Sequence, residues 1–502
     1  MNQTSDNPLN TAFFGHPKGL QTLFFTEMWE RMSYYGMRVL LVLFMTASMQ
    51  EGGLEITVAA AAAIYGLYTG SVYFMGLPGG WIADRLIGGQ KAIWYGGILI
   101  MIGHIILAIP ADNTFFIGLI FVVLGTGLLK PNIAAVVGQL YSLEDERRDA
   151  GYAIYYMGIN LGSFFCYIIC GFLANEYGWH WGFGAAAIGM GIGLYQYRKT
   201  IGNLEGVSAK PTARLSDAGD RNSRLIIGAF LVIVALTTWA IMTGKLVFNP
   251  VELAESVAII FTAVFFIYFG AVFFLGKLNG PEKRGMLALL LVCVASACFW
   301  SGFEQAGSTL NLFAQDYTDR MIGDFEIPTG WFGSANALFI VLLTPFFAAL
   351  WINLGKRMVS PAYGIKCAVG LMIMASGFIV MYYAALIAAS GLKAGPFWLI
   401  VVYFLHTVGE LCLSPIALSA VSKLSPRRFI GQMMGVFVLT YSIGNIISGL
   451  LAGNFDPNNV AEIPTLYSQI ATFSIGIGAV ILLIGIFTKK WEAEVVDSEA
   501  TA

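Results

Sequence analysis

Charge is scarce in this sequence. Asp, Glu, Lys and Arg make up only 12% of the 502 residues, whereas 57% are hydrophobic and the mean hydropathy is +0.72. Soluble globular domains have about 25% charged residues. The composition therefore excludes an ordinary soluble protein and predicts a polytopic membrane protein. The formal net charge of −2, without any basic run longer than two residues, gives no reason to expect a nucleic-acid partner.

Features of enzymes and secreted proteins are also missing. The six cysteines lie within apolar spans, where thiols behave as small hydrophobes, so they predict neither a disulfide framework nor a metal site. The first dozen residues lack the basic region, apolar core and cleavage site of a secretory signal, so we expect the first span to remain in the mature protein. No metal-ligand spacing, nucleophile elbow or phosphate loop argues for a membrane enzyme.

Long apolar runs are plentiful. Runs of about 20 residues, the length that crosses a bilayer, predict fourteen membrane helices, near residues 19–46, 57–83, 91–110, 114–140, 149–174, 180–197, 224–243, 255–276, 285–312, 331–353, 363–390, 395–423, 430–452 and 466–488. A polar segment over residues 198–222 is typical of a linker. The predicted domains are an N-terminal six-helix bundle (1–200), the linker with two inserted helices (201–283), a C-terminal six-helix bundle (284–490) and a tail (491–502).

The distribution of basic residues predicts the orientation. With the N-terminus inside, 22 of the 28 Lys and Arg residues fall in inside segments, three in outside segments and three within spans. Cytoplasmic loops carry such an excess. Both termini are therefore expected in the cytoplasm.

One stretch places charge inside an otherwise apolar span: residues 27–38, Glu-Met-Trp-Glu-Arg-Met-Ser-Tyr-Tyr-Gly-Met-Arg. On a helix its polar residues share an arc of roughly 100°: Glu27, Glu30, Arg31, Tyr34 and Arg38. Ionisable groups at membrane depth are costly and mark substrate, ion or proton pathways. Two carboxylates beside an arginine have a proton affinity set by burial and by the Arg charge, which suits proton coupling. The alternative is a structural cluster in which Glu30 and Arg31 neutralise each other.

Three more ionisable residues are expected at depth: Lys130, Glu304 and Glu410. In the predicted topology Arg38 and Glu304 lie about twenty residues into helices that run outward, and Lys130 and Glu410 about sixteen residues into helices that run inward. Opposite charges from the two halves are thus expected at two matching levels. Such pairs are either static struts or gates that close one side of a cavity, and we favour gates.

Between these levels we expect a cavity lined by aromatic and small polar side chains: Tyr34, Tyr35, Tyr73, Tyr156, Asn160, Trp300, Asn336 and Ser414. Aromatic walls with amides, hydroxyls and both charge signs suit a zwitterionic ligand. For each aromatic residue taken singly, packing or an interfacial position is the competing role. His406, one turn before Glu410, could share in proton coupling, but we expect a structural histidine.

Four motifs along the chain resemble one family. Residues 27–36, Glu-x-x-Glu-Arg-x-x-Tyr-Tyr-Gly, are similar to the first-helix motif of the proton-dependent oligopeptide transporters, a branch of the major facilitator superfamily. The resemblance continues at 79–88 (Gly-Gly-Trp-Ile-Ala-Asp-Arg-Leu-Ile-Gly), 155–163 (Tyr-Tyr-x-x-Ile-Asn-x-Gly-Ser) and 409–415 (Gly-Glu-Leu-Cys-Leu-Ser-Pro), and it covers essentially the whole chain. It implies an all-α fold of two six-helix bundles, and the two inserted helices resemble those of prokaryotic members.

The resemblance implies symport of di- and tripeptides with protons, by alternating access, in a bacterial inner membrane. It implies no enzymatic activity, no metal, no cofactor besides the coupling proton and no obligate protein partner. Proton coupling is carried over to Glu27, Glu30, Arg31 and Glu304. Substrate binding is carried over to Arg38, Tyr34, Tyr73, Lys130, Asn160, Trp300, Asn336, Glu410 and Ser414. Arg38 and Lys130 would attract the peptide carboxylate and Glu410 its amino terminus; the gate pairs would be Arg38 with Glu304 outside and Lys130 with Glu410 inside.

Two positions depart from the family pattern. Met32 replaces the usual Phe, which we interpret as a packing change, and Phe437 stands where many relatives have Trp, which alters pocket size. The nearest rival is a carrier of nitrate or another small anion, which is expected to lack the Glu27 and Glu30 pair. A proton-driven drug or sugar transporter is a second rival. The sequence has no pore signature that would indicate a passive channel. A scaffold protein would hardly keep seven ionisable residues at membrane depth.

Overall fold

The computed structural model describes residues 11–142, 145–356 and 361–500. In this part of the chain there are fifteen α-helices: α1 (Lys18–Thr46), α2 (Val58–Ile82), α3 (Gly89–Leu107), α4 (Asp112–Gln139), α5 (Arg148–Tyr177), α6 (Trp179–Thr200), α7 (Asp217–Met242), α8 (Pro250–Leu275), α9 (Gly280–Phe303), α10 (Thr309–Asp316), α11 (Ser334–Lys356), α12 (Tyr363–Ala389), α13 (Phe397–Leu424), α14 (Ile430–Ala452) and α15 (Ile463–Ala500). Two short antiparallel strands, β1 (Met321–Ile322) and β2 (Phe325–Glu326), form a hairpin. The predicted all-α polytopic class is confirmed.

Length and hydropathy make most of these helices membrane spans. Within the described residues, 12 segments are long and apolar enough to cross a bilayer, with α9 and α10 counted as one segment. Helices α1 and α6 fall outside that set, although their 29 and 22 residues suffice for a hydrocarbon core of about 30 Å. α1 is too polar because it carries the charged stretch at residues 27–38.

One predicted span differs from the structure. The span expected over residues 285–312 is not one helix, because α9 ends at Phe303 and a 3₁₀ turn, Glu304–Gly307, separates it from α10. The Gln305 side chain is hydrogen-bonded across this break: its amide donates to the Ser448 carbonyl (3.0 Å), and its oxygen accepts from the Thr309 hydroxyl (2.9 Å). The Gln305 amide also donates to the Ser301 carbonyl of α9 (3.3 Å), so a side chain bonds a main-chain acceptor next to the break.

Helix packing divides the chain into two compact units. Unit 1 runs to Leu40 and resumes over Ser71–Asn249, and unit 2 comprises Leu41–Gly70 and the chain from Pro250 onward. Helices α1 and α2 therefore each contribute residues to both units. This division describes packing rather than function, so the predicted domain boundaries after residues 200, 283 and 490 stay a prediction.

In unit 1, α3 packs against α4 and α6, and α5 packs against α6. One core cluster of unit 1 draws buried residues from five helices and the turn after α6: Leu20, Leu23, Ile93, Ile100, Leu129, Ile133, Val136, Val137, Tyr155, Met190, Leu194, Tyr197 and Leu204. α3 and α4 approach closely where Gly96 faces Gly125, since a Cβ on Gly96 would lie 2.7 Å from the Gly125 carbonyl oxygen. Small residues permit such close backbone approach between membrane helices.

In unit 2, α9 packs against α12, α13, α14 and α15. The second inserted helix, α8, packs on α14 through a small cluster containing Ala63, Ala254 and Ile446. The first inserted helix, α7, belongs to unit 1 and has no buried residue, as is typical of a helix that faces lipid. The two inserted helices thus differ, because only α8 has a packed face.

The predicted linker is folded rather than extended. Ile201–Leu204 form a 3₁₀ turn, and the following residues pack against the connection between α2 and α3. The Gln90 side chain donates to the Val207 carbonyl (2.8 Å), and the Ala213 amide donates to the Asp84 carbonyl (3.1 Å). The linker therefore contacts the last part of the motif at residues 79–88.

Candidate transport site

The charged stretch of α1 forms a buried ion-pair triad. Arg31 Nε lies 3.1 Å from Glu27 Oε1, one helical turn away, and it also pairs with the neighbouring Glu30 carboxylate. All three side chains are at most 2% exposed. If every group is ionised, two carboxylates face one guanidinium and the triad carries a charge of −1.

Aromatic rings extend the triad along α1. The Arg31 guanidinium lies 5.1 Å from the centre of the Tyr34 ring and 5.9 Å from that of Tyr35, and Arg38 lies 5.8 Å from the Tyr35 ring. Cation–π contacts within about 6 Å are attractive, more so where water is excluded. The predicted polar face of α1 is thus a stack in which cationic and aromatic groups alternate.

Lys130 on α4 also lies over an aromatic ring. Its ammonium is 4.1 Å from the centre of the Tyr73 ring on α2. Asn132 joins the same two helices, because its amide donates to the Gly79 carbonyl on α2 (3.2 Å) and to the Leu128 carbonyl on α4 (2.6 Å). The packing of α2 on α4 therefore sets the position of Lys130.

Helix α5 carries Asn160, Tyr155 and Tyr156. Asn160 is buried, and its amide donates to the Tyr156 carbonyl one turn earlier (3.0 Å). Tyr156, expected in the cavity lining, is 47% exposed. Its neighbour Tyr155 is buried in the core cluster of unit 1. Sequence reasoning assigned Tyr155 no role.

In unit 2, Glu410 on α13 is tied to α11. Asn336 donates hydrogen bonds from its amide to Glu410 Oε2 (3.3 Å) and to the Thr407 hydroxyl (2.9 Å), and Thr407 donates to the Tyr403 carbonyl (2.7 Å). Glu304 is buried at the break after α9 and interacts electrostatically with Glu410. Thr407 is a second residue for which the sequence predicted no role, although it lies one helical turn before Glu410 on α13.

An aromatic cluster accompanies these carboxylates. The Trp300 and Tyr441 ring centres are 4.9 Å apart, and Tyr441 also lies 5.3 Å from Phe437. The Tyr441 ring therefore contacts both Trp300 and Phe437, the residue that departs from the family pattern. Neither the Trp300 indole nitrogen nor the Ser414 hydroxyl has a hydrogen-bond partner among the described residues.

The remaining expectations concern Met32 and His406. Met32 is buried beside Gly189 of α6, in agreement with a packing role. His406 is 1% exposed and packs between the rings of Phe303 and Phe378. Its ring nitrogens have no hydrogen-bond partner in the described chain, so it is packed as a structural histidine but is not hydrogen-bonded.

The structure brings the predicted residues together in two sets. Unit 1 contains Glu27, Glu30, Arg31, Tyr34, Tyr35, Arg38, Tyr73, Lys130, Tyr156 and Asn160, and unit 2 contains Trp300, Glu304, Asn336, Glu410 and Ser414. Each predicted gate pair, Arg38 with Glu304 and Lys130 with Glu410, takes one member from each unit. The gate pairs and the assigned roles therefore stay predictions.

Outside the helices, the segment before α1 is held to the connection between α4 and α5. His16 Nδ1 lies 2.9 Å from the Tyr141 hydroxyl, and Arg147 binds Asp145 (2.8 Å) and donates to the Gly15 carbonyl (3.1 Å). Burial lowers the pKa of His16 and raises that of Tyr141 to about 12. The hydrogen bond from Arg147 lowers the pKa of Asp145.

Comparison with known proteins gives a consistent result. A family model described as the POT family matches residues 90–466. The chain is 42% identical to the peptide transporter YePEPT of Yersinia enterocolitica, over 96% of each chain. It is 33% identical to a di-/tripeptide transporter of Lactococcus lactis subsp. cremoris, over 95% of this chain and 97% of the relative. A crystal structure of a peptide transporter POT mutant in complex with alafosfalin superposes with a TM-score of 0.88 at 38% identity, over 95% of this chain and 96% of that one.

Proposed function

Because the chain belongs to the POT family, we propose that it is a symporter that moves di- and tripeptides together with protons. The similar proteins named as peptide and di-/tripeptide transporters support the substrate class. We place it in the inner membrane of a bacterium with both termini in the cytoplasm, as the excess of Lys and Arg in the alternate loops predicts. It changes no covalent bond, and its coupling ion is the proton, with no other cofactor.

The observation that carries the proposal is the buried triad on α1. Two carboxylates share one guanidinium, so the triad as a whole changes from −1 to neutral when it takes up one proton. Protonation also removes one of the two ionic partners of Arg31, whose guanidinium lies over Tyr34 and Tyr35. Proton occupancy therefore acts on the aromatic face of α1, next to the residues assigned to substrate.

The charged groups of the two units suit the two ends of a peptide. Arg38 and Lys130 in unit 1 are cationic and lie over tyrosine rings, which suits them to a terminal carboxylate. Glu410 in unit 2, oriented by the Asn336 amide, suits an ammonium group. We propose that transport proceeds by alternating access between two helical bundles.

The test is uptake of labelled dialanine into proteoliposomes under an inward proton gradient. We expect dialanine to accumulate and the accumulation to stop when an ionophore collapses the gradient. Other di- and tripeptides should compete with dialanine for uptake, whereas free amino acids should not. Accumulation that ignores the gradient would contradict proton coupling. Absence of uptake by a folded, inserted sample would contradict the substrate assignment and would favour nitrate, sugar or drug transport, each of which can be tested in the same vesicles.

A further inference from the structure

Helix α6 has an exposed face along its second half, and this face ends in a cation. Ile188, Ile192 and Tyr195 are exposed on it, and the exposed Lys199 follows one turn after Tyr195. These positions are spaced by three or four residues, so they lie on one side of the helix. An exposed apolar stripe on a membrane helix faces lipid, and tyrosine and lysine are typical of the level at which the headgroups begin. The stripe therefore reaches the headgroups at Tyr195 and Lys199.

Helix α3 has the same order of residues, read in the opposite direction. Ile105 and Tyr95 are exposed, and the exposed Lys91 lies one turn before Tyr95, in the first turn of the helix. α3 packs on α6, and the Tyr197 hydroxyl near the end of α6 donates to the Gln90 carbonyl at the start of α3 (3.0 Å). The two lipid-facing stripes thus end at the same level, each with an aromatic ring followed by a cation.

Aromatic rings hold two of the cations at this end. The Arg198 guanidinium lies 5.8 Å from the centre of the Trp94 ring on α3, and Trp94 stacks on Tyr197 with 6.4 Å between the ring centres. The Lys199 ammonium lies 5.7 Å from the centre of the Tyr195 ring. Such contacts orient a cation without neutralising its charge. Arg198 thus connects α6 to α3 and keeps its full charge.

Lys91, Arg198 and Lys199 form a basic patch without an acidic partner. In the described part of the chain, no carboxylate lies within ion-pair distance of any of the three. By contrast, Arg224 of α7 and Arg284 of α9 each pair with a carboxylate. The basic patch therefore presents three positive charges that no described acidic side chain compensates.

We propose that the basic patch is a binding site for the headgroup of an anionic phospholipid of the cytoplasmic leaflet. The inference rests on the orientation given with the proposed function, in which these helix ends are cytoplasmic. A phosphodiester is the anion that a bilayer presents at the level of the aromatic rings, and basic pockets between membrane helices on this side bind such headgroups. The Arg198 guanidinium suits two phosphate oxygens, and Lys91 and Lys199 add point charges.

The test is titration of the purified full-length protein in a neutral detergent with dioleoylphosphatidylglycerol, with bound lipid counted by native mass spectrometry. We expect the phosphatidylglycerol to bind more tightly than dioleoylphosphatidylcholine. The double variant Arg198→Gln/Lys199→Gln should bind phosphatidylglycerol about thirtyfold more weakly, about fivefold for each cation. The control is Lys489→Gln/Lys490→Gln, which removes two adjacent exposed cations near the end of the α15 span. This control should keep the wild-type affinity.

Three outcomes would overturn the inference. Equal losses of affinity in the two double variants would show a general attraction of interfacial cations rather than a site. Equal affinity of the wild type for the two lipids would contradict recognition of an anion. Displacement of phosphatidylglycerol by inorganic phosphate at the same concentration would contradict a lipid as the ligand, because free phosphate lacks the acyl chains that the lipid-facing stripes contact.

A second variant covers the case in which the double variant does not fold. Lys91→Gln changes a single exposed side chain on the other helix and should weaken phosphatidylglycerol binding about fivefold. Unchanged binding in a monodisperse sample would overturn the site as defined. The titration contains neither peptide nor proton gradient, so its failure leaves peptide symport intact, and failure of dialanine uptake leaves the lipid site intact.

Discussion

Two adjacent glycines of α2, Gly79 and Gly80, should respond very differently to the same substitution. A Cβ on Gly79 would lie 2.6 Å from the carbonyl carbon of Gly127 on α4, with the Gly127 oxygen closer still. The nearest atom to a Cβ on Gly80 is the Pro131 Cβ at 4.0 Å. Ordinary contact requires about 3.5 Å, so Gly79→Ala forces α2 and α4 apart by roughly 1 Å, whereas Gly80→Ala needs no movement.

The difference between the two variants can be given a magnitude. Overpacking costs about 1–3 kcal/mol, and backbone against backbone belongs to the upper part of that range because neither side can rotate away. Separation of the helices also weakens the hydrogen bond from Asn132 to the Gly79 carbonyl (3.2 Å), worth about 1 kcal/mol. Replacing Gly by Ala within a helix returns up to about 1 kcal/mol in both variants. Gly79→Ala should therefore be about 3 kcal/mol less stable than Gly80→Ala.

The assay is thermal unfolding of the two purified variants in one detergent, followed by tryptophan fluorescence, together with dialanine uptake. We expect a clearly lower midpoint for Gly79→Ala and a midpoint at or above that of the wild type for Gly80→Ala. Because Lys130 stacks on Tyr73 across the same helix pair (4.1 Å), Gly79→Ala should also raise the KM for dialanine. Equal stability of the two variants would refute the packing argument.

Other predictions concern the proton site, the peptide site and the segment before α1. Glu27→Gln should abolish gradient-driven accumulation of dialanine while exchange is less affected, with the exposed Glu255→Gln as its control; full pH-driven accumulation by Glu27→Gln would remove Glu27 from the coupling role. Glu410→Ala should weaken discrimination against N-acetylated dipeptide, and unchanged discrimination would contradict its assignment. Thr407→Val removes the hydroxyl that accepts the 2.9 Å hydrogen bond from the Asn336 amide beside Glu410. This loss, worth about 1 kcal/mol, should raise the KM for dialanine about fivefold, and Thr407→Ser should restore the wild-type KM. Because burial lowers the pKa of His16 from 6.5, the neutral form of His16 contributes stability that is complete above pH 6.5 and is lost as the pH falls. On acidification, the thermal midpoint should therefore drop less in His16→Gln than in the wild type. Equal drops in the two proteins would contradict this prediction.

The sequence by itself determined where the membrane helices lie. A spanning helix satisfies its own backbone hydrogen bonds, so its position follows from a local sum of hydropathy over about 20 residues. The charged positions on α1, α4 and α13 stand out for the same reason, since charge at depth is rare. The four motifs led from these positions to the family, and the match of residues 90–466 confirmed it.

Only the tertiary structure decided which side chains meet. Lipid tails are as apolar as a protein core, so a membrane helix has no hydrophobic pattern that distinguishes its packed face from its lipid face. The sequence therefore could not indicate that Tyr155 is buried in the core of unit 1, that Thr407 shares the amide of Asn336 with Glu410, or that Gly79 rather than Gly80 lies against α4. The break at Glu304 was hidden for a related reason: hydropathy continues across it, and the hydrogen bonds that permit it come from Gln305 and a distant helix. Local composition fixes a span, whereas rotation about the helix axis is set by packing against neighbours.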